Sequence, residues 1–99
     1  MSADVLLVPV DGLMEWFVYD VDPQEILKQH TSAQVCRIEL NTDNQPRGEV
    51  IFGYNDTVKN ERATAITGLV CGSFVLVTGP AVFYGLDEGV VGQIMREVA

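Results

Sequence analysis

The catalytic repertoire available to this chain is narrow. One histidine, His30, and two cysteines, Cys36 and Cys71, are all the imidazole and thiol groups it has. A multi-histidine metal site is therefore impossible, and zinc would need both thiols, His30 and a carboxylate to converge from spacings that carry no such signal. His30 reads as a helix-end histidine, a position that the helix dipole suits. A Cys-His nucleophilic pair can be written with either thiol. Both cysteines, however, sit among apolar residues, a setting that does not activate a thiol, and they read as reduced core residues packing as small hydrophobes. Two pairs of carboxylates, Asp20 with Asp22 and Asp87 with Glu88, could serve as acid and base if they faced a cleft. Helix capping already accounts for Asp22 and Asp87, and a solvated face accounts for the others. Gly85, Gly89 and Gly92 open a helix after a strand, where a phosphate loop would lie. The spacing is neither G-x-G-x-x-G nor a Walker motif, and Asp87 and Glu88 put negative charge where phosphate needs positive. No catalytic residue, metal ligand or cofactor is assigned on these grounds.

Recognition of another protein is the better-supported chemistry. The formal net charge is −8, and six carboxylates, Asp4, Asp11, Glu15, Asp20, Asp22 and Glu25, precede the first basic residue, Lys28. Such a balance repels phosphates, and no basic stripe exists to release counterions, which argues against direct nucleic-acid or anionic-membrane binding. The run Met14 to Val21 (MEWFVYDV) carries apolar groups on both faces of a predicted strand: Met14, Trp16 and Val18 on one, Phe17, Tyr19 and Val21 on the other. Either helices cover both faces, or one face is exposed. In the second case Asp11, Glu15, Trp16, Tyr19, Asp20 and Asp22 form a partner-binding surface suited to a basic protein, with the aromatic residues as anchors.

The elements that position these residues follow from local patterning. Asp4 to Val8 is a short apolar run ended by Pro9 and the Asp11-Gly12 turn pair, so it and the Met14 run predict a hairpin. Asp22-Pro23-Gln24-Glu25 predicts a helix start, with Asp22 as N-cap and Pro23 in the first helical position, and a helix of two to three turns reaching His30 or Thr31. Gln34 to Leu40 alternates, with Cys36, Ile38 and Leu40 opposite Val35, Arg37 and Glu39, as a half-buried strand does. Asn41 to Gly48 is polar and rich in turn formers and is expected to be a mobile loop, before a strand over Glu49 to Tyr54 antiparallel to its predecessor. Asn60 to Thr67 predicts a short helix capped by Asn60 and stopped by Gly68. Ser73 to Thr78 (SFVLVT) is apolar at consecutive positions and predicts a central strand, Gly79-Pro80 a turn, and Ala81 to Tyr84 another strand. Asp87 predicts an N-cap for a helix to about Val98, with Val90, Val91, Ile94, Met95 and Val98 in one stripe and Leu86 and Val91 stapled.

The order ββαββ(α)ββα specifies an α+β fold, a mainly antiparallel sheet of about five to six strands with two to three short helices on one face. Ninety-nine residues suffice for a single domain, 1–99, around a single core. No basic-then-apolar leader opens the chain, and no run reaches the roughly 18 apolar residues that span a bilayer, so the expected location is cytoplasmic.

The segment Asn60-Glu61-Arg62-Ala63, then Ile66 and Gly68, the apolar run Gly72 to Gly79, and Tyr84-Gly85-Leu86-Asp87 before a terminal helix resembles a family of small uncharacterised proteins of phages, plasmids and other mobile elements. The likeness covers about the last 40 residues, with a looser echo in the opening strand. It implies an accessory role and supplies no catalytic residues. Small acidic phage proteins often bind and block host proteins, sometimes by presenting carboxylates as DNA presents phosphates, and the acidic N-terminal segment suits that use. The alternatives are a small-molecule-binding or enzymatic domain with a carboxylate cleft at Asp87 and Glu88, and a structural homo-oligomer formed through the Met14 to Tyr19 strand or another sheet edge.

Overall fold

The computed structural model describes residues 3–19, 22–30, 34–42, 45–54 and 58–98. Five strands, β1 (Ala3–Val8), β2 (Glu15–Tyr19), β3 (Gln34–Thr42), β4 (Gln45–Tyr54) and β5 (Ala81–Tyr84), form one antiparallel sheet in the order β2-β1-β5-β4-β3. Three helices, α1 (Pro23–Lys28), α2 (Glu61–Cys71) and α3 (Glu88–Glu97), complete an α+β fold. Short β5 is the centre of the sheet, flanked by β1 and β4, and Ala81, Val82 and Phe83 are fully buried.

Strand alternation divides the core in two. Leu6, Val8, Val50, Phe52, Ala81 and Phe83 face Ala63, Ile66 and Val70 of α2 and Val91 and Ile94 of α3. The residues between them, Val5, Leu7, Ile51 and Val82, face Ile26 and Leu27 of α1. The helices thus cover both faces of the sheet, not one. The physical reason is that β1, β4 and β5 are apolar at consecutive positions, so both faces must be shielded from water.

Local chemistry sets the helix ends. The Asp22 carboxylate accepts from the Gln24 amide at 2.9 Å with Pro23 next to it, and Asp87 accepts from the Gly89 amide at 3.2 Å. Leu86 and Val91 are both buried in the larger core, as a staple requires. In α3, Met95 is 39% exposed and lies at the margin of the expected stripe.

Three further expectations need correction. Residues 41–48 do not form a long loop: β3 runs to Thr42 and β4 begins at Gln45, and the register shifts between Leu40↔Gly48 and Asn41↔Pro46, with Arg47 as the extra residue. Gly68 does not stop α2, which continues to Cys71 and ends on Gly72 at φ 76°. A Cβ at Gly68 would lie 2.5 Å from the Phe74 ring, so glycine is there to let that ring lie on the helix. Ser73 to Thr78 is not a central strand. It runs extended beside α2, and the helix satisfies it with side chains: the Val75 amide donates to Thr67 Oγ1 at 2.9 Å and the Val77 amide to Thr64 Oγ1 at 3.0 Å. Only Thr78 forms a bridge, with Lys59. Phe74 and Leu76 are left 76% and 61% exposed, whereas a central strand would have buried them.

Thr64→Val and Thr67→Val should therefore each lose about 1–2 kcal/mol, because the shape is kept while a backbone amide loses its acceptor. Serine at either position should restore most of that. Urea denaturation, with hydrogen exchange at Val75 and Val77, tests the pairing, and unchanged protection in the valine variants would show that the hydroxyls do not hold the segment.

Candidate interaction surface

The sheet order puts β2 at one edge. Its inner side pairs with β1 in an unbroken register from Ala3↔Tyr19 to Leu7↔Glu15, and among the described residues no strand pairs with its outer side. Glu15 shares the α1 face with its partner Leu7 and is exposed. Trp16, paired with Leu6, is half-buried against the larger core on the opposite face. Val18 on that same face is 61% exposed. On this face cover over Trp16 gives way to exposure at Val18; the side chains of Phe17 and Tyr19, on the other face, lie outside the described residues.

Of the six residues expected to bind a partner, the structure describes the side chains of Asp11, Glu15, Trp16 and Asp22, and of these Asp22 lies apart from the others. Asp11 is exposed in the turn before β2, at a corner of the fold. Tyr19 ends the strand opposite Ala3, and Asp20 lies outside the described residues. Asp22 is engaged by the fold: it caps α1 and pairs with Arg37 at 3.6 Å. Asp11 and Glu15 have no cationic side chain of the described residues within 4.0 Å and are free to meet one from outside. Of the described carboxylates, Asp11 and Glu15 therefore lie at the β2 edge, while Asp22 lies beside Arg37 of β3, at the opposite edge.

Sequence reasoning missed a polar network on the α1 face. Arg37 on β3 reaches Asp22 at 3.6 Å and Glu49 at 3.5 Å, and its guanidinium carbon lies 5.7 Å from the centre of the Tyr84 ring. The Tyr84 hydroxyl donates to the Glu49 carboxylate. Glu39 is directly opposite Glu49, and like charges facing across a strand pair repel, so Arg37 and Tyr84 supply the donors that hold Glu49 in place. The only signal in the sequence was the out-of-phase set Val35, Arg37, Glu39. Its partners could be named only once the β3–β4 register was known. With Arg37 half-exposed, these pairs orient side chains more than they stabilise the fold.

A second motif missed from sequence fixes the Asp11 corner. Arg62 on α2 donates to the backbone oxygens of Gly12 at 2.6 Å and Pro9 at 2.5 Å, clamping the turn that joins β1 to β2. Val10, Asp11, Gly12, Lys59, Glu61 and Arg62 line an open cleft of about 440 Å³ there. Its charges balance, and Arg62 is committed to the carbonyls.

The remaining candidates lie apart. Asp87 caps α3 and is exposed beside exposed Glu88. His30 is exposed after α1, and Cys36 and Cys71 are free, half-buried thiols. Among the described residues no three His, Cys, Asp or Glu side chains are placed to hold a metal ion, and no helix is long and apolar enough to cross a membrane. In comparisons with protein-family models, curated proteins and solved structures, nothing matches this chain.

Proposed function

We propose that this chain is a non-enzymatic interaction domain that offers the β2 edge of its sheet and the adjoining carboxylates to a basic surface on another protein. The observation that carries the reading is the placement of β2: an edge strand with Glu15 unpaired and Val18 61% exposed. Arg62 fixes the turn that presents Asp11, so the backbone that carries that carboxylate is held before any partner arrives. A rigid anionic surface favours fast, salt-sensitive encounter with a cationic one. A host protein is the partner that the resemblance to mobile-element proteins implies. If that partner is a nucleic-acid-binding protein, the carboxylates stand in for phosphates.

The test is capture of a partner by tagged protein from host lysate at low and high salt, followed by affinity measurement with the purified partner. Replacing Asp11, Glu15 and Asp20 by Asn, Gln and Asn should weaken binding by roughly 10- to 100-fold, taking about 0.5–1 kcal/mol per charge pair. Asp22→Asn is the matched control, since asparagine also caps a helix. Competition by duplex DNA would identify the partner's site as a nucleic-acid site. Unchanged affinity in the triple variant would refute the reading.

A further inference from the structure

The two edges of the sheet are built differently. β3, nine residues long, carries the charges Arg37 and Glu39 in its middle and a register shift at Leu40/Asn41, devices that discourage another strand from pairing with an edge. β2, Glu15–Tyr19, has none of them within its span: its pairing to β1 is regular, it contains no proline, and its single charge, Glu15, stands at its first position. An unprotected edge offers outward backbone amides and carbonyls to any extended chain.

What protects it from its own kind is charge. A second copy pairing antiparallel about Phe17 would set Glu15 against Tyr19 of the first and bring the turn that carries Asp11 in each copy to the same acidic edge of the other. In a chain of net charge −8 that approach is repulsive. The same carboxylates attract a cationic strand. Resting on the proposed acidic interaction surface and giving it a binding mode, we propose that β2 accepts an extended, cationic segment of a partner protein as a sixth strand of the sheet.

The faces of β2 specify what that segment looks like. Side chains of an added strand alternate between the two faces. Those on the Trp16 and Val18 face meet exposed apolar surface at Val18, and those on the Glu15 face meet an unpaired carboxylate. The preferred ligand therefore alternates apolar and basic residues, with a further basic residue at the end that lies toward Asp11. Its affinity comes from main-chain hydrogen bonds and its selectivity from charge.

The probe is a synthetic seven-residue peptide, Lys-Val-Lys-Val-Lys-Val-Lys, with two relatives that carry backbone N-methyl groups on alternate residues, one set for each edge of the peptide. The expected result is salt-sensitive binding of the parent, slowed amide exchange on the outer side of β2, and at least a tenfold loss for one N-methyl set only. Val18→Lys, at an exposed position, should weaken binding at least tenfold without changing stability. If both N-methyl peptides bind as the parent does while carboxylate neutralisation still abolishes binding, strand addition is overturned and the broader acidic-surface reading stands. If the peptide does not bind at low salt, strand addition is likewise overturned, and capture of a folded basic partner then decides the broader reading separately.

Discussion

Asn60→Ala should destabilise the fold by about 3–4 kcal/mol, and Asn60→Asp should be no better. Asn60 is fully buried and caps α2, with Oδ1 accepting from the Ala63 amide at 3.0 Å. Its Nδ2 donates to the backbone oxygens of Val8 at 2.9 Å and Gly79 at 2.8 Å, and its own amide donates to Val77 at 2.8 Å. One side chain thus ties the end of β1, the start of α2 and the approach to β5. Alanine removes the cap, worth about 1–2 kcal/mol, and deprives two buried carbonyls of a donor, at about 1 kcal/mol each. Against a total stability of roughly 5–15 kcal/mol, that is a large share. Aspartate ordinarily caps as well as asparagine. Here it would keep the cap acceptor but turn a carboxylate toward two carbonyl oxygens inside the core, where an unpaired charge is costly. Chemical denaturation of the three proteins tests this inversion of the usual capping order. An aspartate variant within about 0.5 kcal/mol of the parent would show that the carbonyl bonds contribute little.

Asn60 also marks the boundary of what could be read in advance. Its cap was legible because a cap is a local event: a side chain meets amides two or three residues on, and the same holds for Asp22 and Asp87. Its bonds to Val8 and Gly79 span 52 and 19 residues and depend on topology. The Arg37, Glu49 and Tyr84 network and the Arg62 clamp were hidden for the same reason.

Apolar patterning was a good guide to β1, β3 and β5 but misled over Ser73 to Thr78. A run of apolar residues states that a segment wants cover. It does not say whether a ladder or a row of helix threonines provides it. Gly68 misled in the same way, because glycine inside a helix normally costs about 1 kcal/mol and reads as a stop, whereas here it makes room for an aromatic ring. On the candidate surface, the hairpin and its acidic character were legible. That β2 would be an edge, and that Asp22 would be taken up by α1 and Arg37, required the strand order.

Gly48→Ala should cost about 3 kcal/mol, and its comparison with two other glycines separates backbone strain from lack of space. At Gly48 both act. Its φ of 137° lies where residues with a Cβ are strained, and an added Cβ would stand 2.7 Å from Leu86 Cδ2 and 2.9 Å from the Tyr84 carbonyl oxygen. Leu86 is buried and the carbonyl belongs to the central strand, so neither yields cheaply. Strain of roughly 1–2 kcal/mol joins an overpacking cost of similar size. Gly72 has φ 76° with nothing within 4 Å, so Gly72→Ala should show the strain alone, about 1 kcal/mol. Gly68→Ala has no such φ, and its clash is with the 76% exposed Phe74 ring, which can swing into water. The helix propensity gained should then bring it near neutral. The expected ranking in thermal or chemical melts is Gly48 worst, Gly72 intermediate and Gly68 mildest. Because Gly48 adjoins Glu49 and Tyr84 on β4 and β5, while β2 lies beyond β1, the folded fraction of Gly48→Ala should still bind the cationic peptide with parental affinity. Weaker binding by the folded fraction itself, after correction for the unfolded protein, would place the binding surface near the Tyr84 network and away from the β2 edge.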